Sequence, residues 1–93
     1  MTDCIRQHLI VEGTVQNVGF RYEMTRLARQ LGITGWVMNR VDGSVEAIVQ
    51  GSSSAIQLLL EELNACRPIH ITALHKTPLP IVENETGFIT RYV

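Results

Sequence analysis

The spacing of apolar residues switches repeatedly between a two-residue and a helical period within 93 residues, and that alternation constrains the fold more than any other feature. From His8 to Val15 the chain reads as a strand, with Leu9, Val11 and Val15 on one face and His8, Ile10 and Glu12 on the other. Gly13 interrupts it and marks a bend or a close backbone approach. Phe20, Met24, Leu27, Ala28 and Leu31 then fall at helical spacing, which predicts an amphipathic helix over about Tyr22 to Leu31, capped by a left-handed Gly32. Thr34 to Asn39 reads as a second strand, Asp42-Gly43 as a hairpin turn, and Ser44 to Gln50 as a third strand. Gly51-Ser52-Ser53-Ser54 offers N-caps for a second helix carrying Ile56, Leu59, Leu60 and Leu63. Arg67-Pro68 stops that helix. A strand over Ile69 to Lys76, a loop punctuated by Pro78 and Pro80 that reaches about Thr86, and a last strand over Phe88 to Tyr92 complete the pattern.

The resulting order, β-α-β-β-α-β followed by the last strand, is the split βαβ or ferredoxin-like arrangement of the α+β class. It predicts one domain over residues 1–93, built as an antiparallel sheet with both helices on one face and the opposite face solvated. Phe20, Met24 and Trp36 are expected in the core. A domain of this size leaves room for a compact site, one loop and a few side chains.

Composition excludes several classes of function. The formal net charge is −1 and the basic residues, Arg6, Arg21, Arg26, Arg29, Arg40, Arg67, Lys76 and Arg91, are scattered, so no nucleic-acid partner is expected. No run approaches the roughly 18 apolar residues that span a bilayer, and the polar start from Met1 to Gln7 does not resemble a secretory signal. A cytoplasmic protein with no membrane partner is the expectation, and a monomer the expected state. Cys4 and Cys66 have no metal-ligand spacing and are too few for a disulfide framework. Free thiols, buried or half-buried, are expected, with a single bridge between them left open.

The segment that bears chemistry is Gly13-Thr14-Val15-Gln16-Asn17-Val18-Gly19-Phe20-Arg21, which joins the first strand to the first helix. A loop entering a helix directs unsatisfied N–H groups at one spot, where the helix dipole favours an anion. Gly19 permits the dihedrals such a nest requires, and Asn17 is among the few other residues that tolerate a left-handed conformation. Arg21 adds a permanently charged planar fork that matches phosphate oxygens. Asn39, at the end of the second strand, carries both a donor and an acceptor and is suited to holding a water.

Val15-Gln16-x-Val18-Gly19-Phe20-Arg21, followed by Leu31-Gly32-Ile33-Thr34-Gly35-Trp36-Val37-Met38-Asn39 and Asp42-Gly43-Ser44-Val45-Glu46, resembles the signature of the acylphosphatase family. The resemblance runs on through Gln50-Gly51 and, more loosely, to Phe88-x-x-Arg91-Tyr92. It implies hydrolysis of a small-molecule acyl phosphate to a carboxylate and inorganic phosphate, with no cofactor, no metal and no covalent intermediate. It also implies roles: Arg21 and the loop amides of Gln16, Asn17, Val18, Gly19, Phe20 and Arg21 bind the phosphoryl group, and Asn39 orients the attacking water. The family usually has Gly where this chain has Asn17, and some members carry Thr where it has Arg40.

Other residues read as structural. His70 and His75 differ by five and fall on opposite faces of a regular strand, which argues against a shared metal. Glu61, Glu62, Glu83 and Glu85 read as solvated charges. A module like the N-terminal domain of hydrogenase maturation proteins is the alternative to a stand-alone enzyme, which a chain taken as complete at 93 residues favours. A non-catalytic RNA-binding module on the same fold needs exposed aromatics and a basic face, and no interleaved basic run is present.

Overall fold

The computed structural model describes residues 3–92. Seven elements follow in the order β1 (Ile5–Thr14), α1 (Phe20–Gln30), β2 (Thr34–Asn39), β3 (Val45–Gly51), α2 (Ser53–Ala65), β4 (His70–Leu79) and β5 (Phe88–Arg91). The strands form one sheet in the order β4-β1-β3-β2-β5. One face of it packs on both helices, and the core draws Leu9 and Val11 from β1, Val37 from β2, Val45, Ala47 and Val49 from β3, and Phe88 from β5. Phe20, Met24, Leu27 and Ala28 of α1 and Ile56, Leu59, Leu60 and Leu63 of α2 close it from the other side. The ferredoxin-like arrangement read from the sequence is the observed one. No helix among the described residues is long and apolar enough to cross a membrane.

The caps follow local chemistry. Ser52 caps α2, its hydroxyl accepting from the Ala55 amide at 3.1 Å. At the end of α1, Ile33 N donates to Ala28 O and Gly32 N to Arg29 O, the paired bonds of a helix closed by a left-handed glycine. The Asp42-Gly43 turn is held by the Asp42 carboxylate, which accepts from the Ser44 amide at 3.0 Å. The Ser44 hydroxyl and then that amide hold the Asp42 carboxyl below its ordinary value. Gly13 marks a bulge: the β1–β4 register shifts between Glu12 and Gly13, and a Cβ at Gly13 would lie 2.2 Å from His70 O.

Several expectations need correction. Four strands are antiparallel, but β5 pairs with β2 in parallel, so the sheet is mixed. β4 runs through Pro78 to Leu79, beyond the expected end at Lys76. As an edge strand pairing only with β1, it tolerates a proline. Trp36 is not in the core. It alternates with buried Val37, faces the helix-free side of the sheet, and carries the Arg91 guanidinium 5.0 Å from its ring centroid. Cys4 is exposed, Cys66 is half-buried, and both are free thiols.

Glu85 also departs from the solvated reading, through its pairing with Arg6. Arg6 is 9% exposed and donates to Glu85 Oε1 at 2.8 Å and to Gln50 Oε1 at 3.1 Å. Thr34 Oγ1 donates to the same Glu85 oxygen at 2.7 Å. Burial pushes the Glu85 carboxyl up, but the hydrogen bonds from Arg6 and Thr34 and the Arg6 charge outweigh it and hold the group below its ordinary value. Gln50 in turn exchanges two bonds with the Val82 backbone, 2.8 and 2.9 Å. These side chains pin the long β4–β5 connection and so deliver β5 alongside β2.

Candidate active site

The first strand ends one residue before Val15, which is 1% exposed, and α1 begins at Phe20, also 1% exposed. Packing therefore clamps both ends of the loop that carries the candidate residues. Between them, Asn17 (φ 62°) and Gly19 (φ 78°) are left-handed, so the chain turns sharply twice in three residues. For Gly19 that conformation carries no steric penalty, and Asn is the side chain that bears it best. Gly19 is also the N-cap of α1 and supplies no side-chain cap. The N–H groups of the first turn accordingly keep their capacity for an anion, and the helix dipole adds to it.

Arg21, in that first turn, forms no ion pair among the described residues. Asn39 ends β2. The two line a single cleft of about 290 Å³ with Val15, Asn17, Gly19, Phe20, Tyr22, Thr90 and Tyr92. The Asn39 Oδ1 atom is buried and accepts no hydrogen bond among the described residues. A buried carbonyl oxygen without a donor is costly unless something else donates to it. Asn39 is a residue of the cleft lining, and a bound hydroxylic donor, a water above all, is the fitting partner for its side chain.

Of the residues singled out in the sequence, Arg21, Asn39, Asn17, Gly19 and Phe20 come together here. Gln16 and Val18 do not line the cleft. The Val18 side chain packs against the core, and the Gln16 amide points to the β2–β3 turn. Sequence reasoning left out Tyr22, Thr90 and Tyr92. Tyr22 sits beside Arg21 on an exposed turn, where helical spacing gave no signal. Thr90 and Tyr92 arrive only because β5 lies parallel to β2, which no local pattern announces. Among the described residues no group of three or more His, Cys, Asp or Glu side chains is arranged to hold a metal. His8 and His75 pair instead with Glu46 and Glu12, at 2.7 and 2.9 Å.

The geometry is that of an anion-receiving helix N-terminus facing a carboxamide. The family model described as acylphosphatase matches residues 7–90. The chain belongs to the acylphosphatase family. It is 42% identical over 88 residues to the acylphosphatase of Geobacillus kaustophilus, an alignment that takes in 94% of each protein. It is 56% identical over 59 residues to that of Bifidobacterium longum, covering 63% of this chain and 61% of the relative. The crystal structure of an acylphosphatase from Bacillus subtilis superposes with a TM-score of 0.85 at 34% identity, covering 95% of this chain and 99% of that one. Membership and these relatives support acylphosphatase activity, the hydrolysis of acyl phosphates.

Proposed function

We propose that the chain hydrolyses acyl phosphates by direct attack of water. Arg21 and the loop amides that line the cleft, those of Asn17, Gly19, Phe20 and Arg21, hold the phosphoryl group, and Asn39 orients the water. The observation that carries this reading is the meeting, in one cleft, of a guanidinium at a helix N-terminus and an asparagine, the first without an ion pair and the second with a buried carboxamide oxygen without a donor among the described residues. Phosphoryl transfer asks mainly for positioning and for charge stabilisation of the equatorial oxygens. The cradle supplies both through the fork of Arg21 and the N–H groups of the loop. Asn39 Oδ1 accepts a hydrogen bond from the water and turns its lone pair toward phosphorus. As the water oxygen bonds to phosphorus, the P–O bond to the acyl group breaks and the carboxylate leaves as an anion. A carboxylate is a good leaving group, so no general acid is demanded. An amide carbonyl is not a base, and the proton of the water passes to the phosphate product or to solvent.

The reading takes residues 1–93 as one acylphosphatase domain, a cytoplasmic monomer with a small-molecule substrate. The domain spans 94% of the Geobacillus relative and 99% of the Bacillus structure. A spectrophotometric assay with an aryl acyl phosphate, run with and without excess EDTA, tests the proposal. Turnover that persists in chelator is expected. No turnover of the acyl phosphate refutes the activity, and turnover lost in EDTA but restored by Mg²⁺ or Zn²⁺ refutes the metal-free mechanism.

A further inference from the structure

The two halves of the site come from strands that are not neighbours. Arg21 follows β1 and Asn39 ends β2, while β3 lies between those strands in the sheet. Strand pairing alone therefore leaves the cradle loop free to shift relative to Asn39. One side chain crosses that gap. Gln16 Nε2 donates to Arg40 O at 2.7 Å and to Ser44 O at 2.8 Å. Arg40 directly follows Asn39, and Ser44 O also accepts from Arg40 N at 2.9 Å. The Gln16 amide thus locks the mouth of the turn that Asn39 enters. Both acceptors are carbonyls, so the amide orientation is fixed, and both of its N–H donors are committed. No side-chain donor remains for an anionic substrate, and Gln16 does not line the cleft.

We propose that Gln16 is a positioning residue, whose side chain sets Asn39 against the phosphoryl cradle instead of touching substrate. The proposal rests on the roles given above to Arg21 and Asn39, and it deepens them: loop and turn form one unit because a half-buried glutamine bridges them. Its signature is energetic coupling to Asn39. A residue that acts through the water-orienting carboxamide has nothing left to contribute once that carboxamide is gone.

The experiment is a double-mutant cycle with an aryl acyl phosphate as substrate and inorganic phosphate as competitive inhibitor, on variants first shown folded by circular dichroism. Gln16→Ala is expected to lower kcat about tenfold, the effect of losing roughly one hydrogen bond's worth of positioning, while phosphate inhibition changes less than about twofold. In an Asn39→Ala background the same substitution is expected to cost less than about twofold. The same-length Gln16→Glu variant guards against an alanine that simply loosens the fold. At neutral pH its carboxylate offers no donor and faces two carbonyls, so turnover falls at least as far. On acidification, part of that loss relative to the parent protein is recovered, because a protonated acid donates to one carbonyl. Equal losses in both backgrounds, a parallel loss of phosphate binding, or a Gln16→Glu enzyme as active as the parent would overturn the positioning role. A parent protein that does not turn over acyl phosphate sinks the functional reading instead, so the two failures are told apart.

Discussion

The Arg21 guanidinium lies over the ring of Tyr92, 4.9 Å from its centroid, so the residue after β5 supports the cation at the start of α1. Tyr92 is 77% exposed, and the contact is of the solvent-facing kind, worth about 0.5–1 kcal/mol. It restrains a long side chain that has no carboxylate partner among the described residues. Tyr92→Ala is therefore expected to weaken competitive inhibition by inorganic phosphate about two- to fivefold. Tyr92→Phe, which keeps the ring, is expected to restore it. Inhibition constants for the three proteins decide the matter, and an alanine variant with unchanged phosphate affinity would show that the ring does not prepare Arg21.

Arg21 and Asn39 are expected to fail differently when removed. Arg21 meets the phosphoryl group in ground and transition state alike, so Arg21→Ala weakens phosphate inhibition by about one to two decades, the worth of a charge-assisted hydrogen bond, and slows turnover. Asn39 acts mainly on the way to the transition state. Asn39→Ala lowers kcat by on the order of a hundredfold and leaves phosphate inhibition comparatively unchanged. Steady-state kinetics with phosphate as inhibitor separate the two, and normal turnover by Asn39→Ala would end the proposed division of labour.

Asn17 occupies a left-handed position. Glycine fits that backbone without a Cβ penalty, and valine does not. Asn17→Gly is expected to keep the fold and to keep or raise activity. Asn17→Val is expected to lose both thermal stability and turnover, since a left-handed β-branched residue costs at least ~1–2 kcal/mol. Melting curves and assays that come out the same for all three proteins would mean the loop relaxes at residue 17 without disturbing the cradle.

Glu85 links acid sensitivity to the placement of β5. Its carboxyl is held below the ordinary value near 4.5 in the folded protein by Arg6 and Thr34. A lowered folded value means that the unfolded chain binds the proton first. The stabilisation is whole above the ordinary value and is lost as pH falls through the lowered one. The melting temperature of the parent protein is expected to drop over that acid range, and Glu85→Gln, already lacking the charge, to start lower at pH 7 and drop less. Parallel melting curves for the two proteins across the acid range would remove Glu85 as a source of the sensitivity.

Much of this protein was legible in its sequence because the deciding physics is local. Apolar period specified seven elements, Ser52 and Gly32 supplied caps where side-chain and backbone chemistry place them, and a glycine-containing loop ending in Arg21 announced an anion site at a helix start. Residue type made Arg21 and Asn39 candidates, and the resemblance of their segments to the acylphosphatase signature gave them roles. What tertiary structure decided is how distant segments meet. Whether β5 lies parallel to β2 depends on Arg6, Gln50, Thr34 and Glu85, brought together from β1, β3, β2 and the β4–β5 connection. In a strand, periodicity separates two faces but does not say which neighbour covers them, and so Trp36 was read as core when it faces the open side of the sheet. Tyr92 reached Arg21, and Gln16 reached the turn after Asn39, through contacts between residues far apart in the chain. Such contacts leave no period in the sequence, because they are paid for by the packing of the whole sheet and not by any segment alone.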